Sequence, residues 1–100
     1  MSVLMEFSMF PTDQGESVSA QVSEIIRMIR ESGLDYRLTP MGTVVETDSV
    51  AEAMALVERA AAVLDDLGCR RIYSAIKLDI RHGRGGRMAG KIASVEGRIG

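Results

Sequence analysis

Apolar and polar positions alternate over residues 3–10, where Met5, Phe7 and Met9 face one way and Glu6 and Ser8 the other. A period of two marks a half-buried strand, because successive side chains leave opposite faces of the backbone. Pro11 ends the run and 12–15 reads as a turn, with Asp13 and Glu16 spaced as a capping box and Ser17 as a rival N-cap. Val18, Val22, Ile25, Ile26 and Ile29 then recur at helical spacing, and Gly33 is placed to close that helix. Alternation returns over 34–39, and 43–47 reads as the next strand, joined by Pro40-Met41-Gly42, a connection short enough for a hairpin. Ser49 and Glu52 form a cleaner capping box. The second helix they open carries a stripe of Met54, Val57, Ala61 and Leu64, flanked by Leu56, Ala60, Val63 and Leu67. Gly68 ends it, and 71–80 predicts a last strand with Ile72, Ile76, Leu78 and Ile80 apolar.

The order β-α-β-β-α-β, read with the handedness of crossovers, predicts an α+β ferredoxin-like sandwich: an antiparallel four-stranded sheet with both helices on one face. Strand parity then puts Glu6, Ser8, Lys77 and Asp79 on the uncovered face. Beyond the sandwich (1–81), residues 82–100 complete the same domain. They comprise a flexible Gly/Arg loop up to Arg87 and a helix with Met88, Ile92, Val95 and Ile99 on one face. That C-terminal helix needs cover from a neighbouring subunit or from the edge of its own sheet.

Composition narrows the function classes. The 100 residues carry 12 Lys+Arg against 14 Asp+Glu, a net charge of −2, which gives no general electrostatic reason to bind nucleic acid. Aromatics make up only 4% with no Trp, so the sheet lacks the stacking platform of an RNA-binding sandwich. The core must come from aliphatic side chains and seven Met, and a thin core of that kind points to self-association, as dimer or tetramer. No apolar run reaches membrane-spanning length, and one Cys allows no internal disulfide. A cytoplasmic setting is expected.

The glycine-rich stretch 83–86 matches neither a Walker loop nor a dinucleotide fingerprint; a hinge is favoured over an anion cradle built from Arg81, Arg84 and Arg87. His82 reads as a solvated loop residue, Cys69 as a small buried hydrophobe, and Arg27, Arg30 and Glu31 as an exposed helix face. Glu6, Ser8, Lys77 and Asp79 can face water, pair across a sheet-to-sheet contact, or line a ligand pocket. Such groups suit an aminopyrimidine or an organic cation. The turn Thr39-Pro40-Met41-Gly42-Thr43 sets two hydroxyls beside a glycine that a ligand can approach.

These segments carry a family resemblance. Glu6-Phe7-Ser8-Met9-Phe10-Pro11, Gly15-Glu16-Ser17-Val18, Glu31-Ser32-Gly33-Leu34-Asp35-Tyr36 and above all Leu38-Thr39-Pro40-Met41-Gly42-Thr43 resemble the small thiamine-binding proteins of the YkoF-like superfamily. Arg71-Ile72-Tyr73, leading to Ile76-Lys77-Leu78-Asp79, resembles that family's last strand. The resemblance implies a ferredoxin-like subunit paired through sheets. It also implies binding of thiamine or its hydroxymethylpyrimidine part near a subunit interface, without catalysis and with no cofactor required. The ligand residues it implies are Glu6, Ser8, Thr39, Met41, Gly42, Thr43 and Lys77, with Glu46 and Asp79 as weaker candidates. Three alternatives stay open: an oligomeric scaffold without a ligand, a salvage enzyme using Glu6 or Asp79 as acid or base, and a nucleic-acid binder acting through the Arg81-to-Arg87 loop.

Overall fold

The first strand supplies the core. In the computed structural model, which describes residues 1–83 and 87–100, β1 (Ser2–Pro11) buries Val3, Met5, Phe7 and Met9 on one face and leaves Leu4, Glu6, Ser8 and Phe10 on the other. Its neighbours are β3 (Gly42–Thr47) and β4 (Ile72–Arg81), and β2 (Asp35–Thr39) pairs outside β3. The order β2-β3-β1-β4, antiparallel throughout, is the expected ferredoxin-like sheet. On its buried face lie α1 (Ser19–Ser32), through Ile25, Met28 and Ile29, and α2 (Val50–Asp66), through Ala53, Leu56, Ala60 and Leu64. No helix among the described residues is long and apolar enough to cross a membrane.

Both helix ends at glycine follow expectation. Gly33 and Gly68 take φ of 79° and 83°, a left-handed conformation that costs glycine nothing. After Gly68, the Cys69 amide donates to the Leu64 carbonyl at 3.0 Å and the Gly68 amide to Asp65 at 2.9 Å, a Schellman closure. At the start of α2, Ser49 Oγ accepts from the Glu52 amide at 3.1 Å, as the capping box requires. Cys69 is buried as expected, and burial pushes its thiol pKa up.

Several expectations are corrected. Pro11 does end the first strand, but as its last paired residue, opposite Ile72, where a missing N–H costs little. Asp13 does not cap α1, which starts six residues later behind Val18 with no side-chain cap. Its carboxylate instead accepts the Arg70 backbone N–H at 2.9 Å and ties the loop after β1 to the loop before β4. That bond holds the Asp13 carboxyl below its usual range. In α2 the buried line runs through Ala53, Leu56, Ala60 and Leu64, while Met54 and Leu67 stand off it. The helix turns its small alanines to the sheet, and that lets it approach closely. Arg81 ends β4, paired with Ser2, and is not part of a loop. The rest of the proposed Gly/Arg cradle, residues 84–86 and the Arg87 side chain, lies outside the described residues.

Two apolar surfaces stay open. In β4, Ile76, Leu78 and Ile80 point to the helix side but lie at the sheet edge and remain 38–47% exposed. The C-terminal helix α3 (Arg87–Ile99) buries Met88 but leaves Ile92, Val95 and Ile99 exposed. The chain exposes 6504 Å². A compact monomer of its mass exposes about 5,500 Å².

Candidate functional site

The site is organised by the β2–β3 hairpin. Its turn is two residues, Pro40 and Met41, rather than the three expected, because Gly42 already pairs with Thr39 in the ladder. The Thr39 hydroxyl is spent on the turn: it accepts from the Met41 amide at 3.2 Å and donates to the Gly42 carbonyl at 2.8 Å. Gly42 lies hard against β1, where a Cβ would stand 3.0 Å from the Phe7 carbonyl oxygen. A larger residue would push the hairpin and β1 apart by a few tenths of an ångström.

Between the hairpin, the end of β1 and the first half of α1 lies a cleft of about 370 Å³. It gathers five of the seven expected ligand residues, Ser8, Thr39, Met41, Gly42 and Thr43. Thr43 is buried, and its hydroxyl makes no hydrogen bond among the described residues. Phe7, Val22, Ile26 and Leu38 supply apolar walls that sequence reasoning missed. Val22 and Ile26 belong to the predicted helix stripe, and only the 62% exposure of Leu38 shows that this part of the stripe is left uncovered. Polar groups on an apolar wall are the ordinary make-up of a small-molecule site.

Glu6 and Lys77 lie elsewhere, directly opposite one another on the uncovered sheet face. They form an ion pair at 3.5 Å, with the Lys77 side chain 84% exposed. With Ser8 and Met41 they line a second cavity of about 370 Å³, so those two residues border both spaces. The expected set is therefore one cleft and an adjoining open face, divided by β1.

Glu46 and Asp79 occupy the next cross-strand row, both on Leu4, and are engaged by α3. The Glu46 carboxylate accepts from the Met88 amide at 3.0 Å and from Ser2 Oγ at 3.2 Å. It thus caps the first turn of the C-terminal helix, where the exposed amides and the helix dipole favour an anion. Asp79 binds Lys91 of the same helix at 2.8 Å. Among the described residues, no group of three His, Cys, Asp or Glu is placed to hold a metal ion.

The comparisons agree with this architecture. A family model described as thiamine-binding protein matches residues 5–96. A UPF0045 protein of Mycobacterium bovis is 43% identical over 96 residues, covering 96% of this chain and 93% of its own. A hypothetical protein of Methanocaldococcus jannaschii superposes with a TM-score of 0.81 at 29% identity, covering 95% of this chain and 96% of its own. A Thermotoga maritima protein proposed to act in thiamine biosynthesis or salvage matches the fold, with a TM-score of 0.81 at 20% identity over 95% of this chain and 99% of its own. A match over nearly all of both strands and helices, together with the cleft built on the hairpin, places this chain in the thiamine-binding protein family.

Proposed function

We propose that the protein is a non-enzymatic binder of thiamine or its hydroxymethylpyrimidine part, held in the cleft beside the β2–β3 hairpin. The observation that carries this reading is the convergence of Ser8, Gly42 and Thr43 on one apolar-walled space. The pyrimidine ring lies against Phe7 and Leu38, and the Thr43 hydroxyl on the same face answers its ring nitrogens or amino group. Glu6, whose Cγ lies 3.8 Å from where a Gly42 Cβ would be, sets a negative charge behind the cleft. That charge favours a cationic thiazolium over a neutral ring.

Isothermal titration with thiamine and with hydroxymethylpyrimidine tests the reading. Both are expected to bind the folded protein, and absence of heat from both at millimolar concentration contradicts it. Thr43→Val removes the hydroxyl at nearly constant volume and should weaken thiamine by about three- to tenfold, the worth of one neutral hydrogen bond. Glu6→Ala should weaken thiamine while leaving the fold and assembly intact. A Glu6→Ala protein that loses all binding, beside a Thr43→Val protein that loses none, would move the site to the open sheet face.

A scaffold role is the second reading, favoured by the exposed rows Ile76, Leu78, Ile80 and Ile92, Val95, Ile99. Self-association is compatible with either reading, since the excess exposed area fits a chain that buries more surface in an assembly. Titration separates them, because a scaffold binds neither pyrimidine.

A further inference from the structure

The cleft does not end at Ile26. Val18, Val22, Ile26 and Leu38 also line a longer open groove of about 760 Å³ that runs along α1. The polar groups of that groove are Ser19, Ser23, Arg27, Arg30 and Glu31. Arg27 and Arg30 stand one turn apart, so their guanidinium groups can meet on one face. At 1.5 Å per residue they lie about 8–12 Å further along α1 than Val22, which both spaces share. A single pyrimidine in the cleft cannot span that distance; the side arm of a two-ring ligand can.

Neither arginine is saturated among the described residues. Arg27 meets Glu24 only at 3.5 Å, with its own side chain 66% exposed. Arg30 uses its Nε on the Tyr36 hydroxyl at 3.1 Å, an interaction that holds the guanidinium in place and raises its pKa further. Arg30 lines the groove, and the terminal nitrogens of a guanidinium can meet an oxyanion in a forked, bidentate arrangement. The carboxylate of Glu31 is the one anion on the groove wall, against two cations. The Ser23 hydroxyl donates to the Ser19 carbonyl at 2.6 Å, so its proton is already engaged.

Resting on the pyrimidine reading of the cleft, we propose that the α1 groove is a subsite for a phosphate carried by the same ligand. The ligand class is then a thiamine phosphate ester rather than free thiamine. The pyrimidine sits at the hairpin, the apolar strip of Val22, Ile26 and Leu38 carries the middle of the molecule, and Arg27 and Arg30 receive the phosphate.

Titration of thiamine and thiamine monophosphate at low ionic strength tests this. The monophosphate is expected to bind about tenfold tighter, and the advantage should shrink with added salt as exposed charges are screened. In the double variant Arg27→Gln/Arg30→Gln the two compounds should bind equally, with thiamine itself unchanged within about twofold. Both sites are exposed, so circular dichroism should report an unchanged fold. Equal affinity of the two compounds for the unmodified protein overturns the subsite, as does a double variant that keeps the tenfold gap. Binding of neither compound overturns the pyrimidine reading itself, and the subsite with it.

Discussion

Gly42→Val is expected to cost about 1–3 kcal/mol of stability, the range for forcing extra atoms into a packed site. It should also weaken thiamine by more than about tenfold, which is about 1.4 kcal/mol of binding free energy. A Cβ there meets the Phe7 carbonyl at 3.0 Å, and the obstacle is strand backbone, which cannot swing aside as a side-chain tip can. The hairpin or β1 must give by a few tenths of an ångström, and the cleft between them changes shape with it. Urea unfolding and isothermal titration on the same preparation would separate the two effects. A Gly42→Val protein that binds thiamine normally would show that the hairpin's close approach does not shape the site.

The second large effect is in the core. Ile29 is fully buried where α1 packs on the sheet, among Met5, Val45 and Leu56 in one apolar cluster. Ile29→Ala removes three carbons from a cluster with little aromatic bulk to flow into the space, at a cost of about 2–5 kcal/mol. For a domain of this size that is a large share of the whole stability. A fall of less than about 1 kcal/mol in chemical denaturation would mean that the methionines of the cluster, Met5, Met9 and Met28, repack to fill the cavity.

The fold was legible because each element carries its own local signal. Period two in 3–10, the Ser49–Glu52 box and the glycines at 33 and 68 each state a boundary that tertiary packing did not override. The errors fall where a long-range partner outbids a local one. Asp13 has the spacing of a cap, but the Arg70 amide, 57 residues away, takes its carboxylate. Met54 and Ala53 are neighbours on the helix, and only the sheet decides which of them turns inward.

The site was half legible. Residues close in sequence, from Thr39 to Thr43, were found together because a tight turn keeps them together. Glu6 and Lys77 were correctly placed on one face by strand parity. Parity could not show that β1 stands between that face and the cleft. Nor could it show that Glu46 and Asp79, one cross-strand row from Glu6, are held by the C-terminal helix. The contribution of Leu38 was hidden for a related reason: its alternation matches a buried position, but α1 stops short of covering it.

The most direct test of the central claim is a two-dimensional NMR titration of the isotope-labelled protein with thiamine. The account predicts that the amide signals of Phe7, Ser8, Gly42 and Thr43 shift most, in proportion to ligand bound, while those of Leu78, Ile80 and α3 stay in place. Shifts confined to Lys77, Ala75 and the rest of the open sheet face, with Gly42 and Thr43 unmoved, would contradict it.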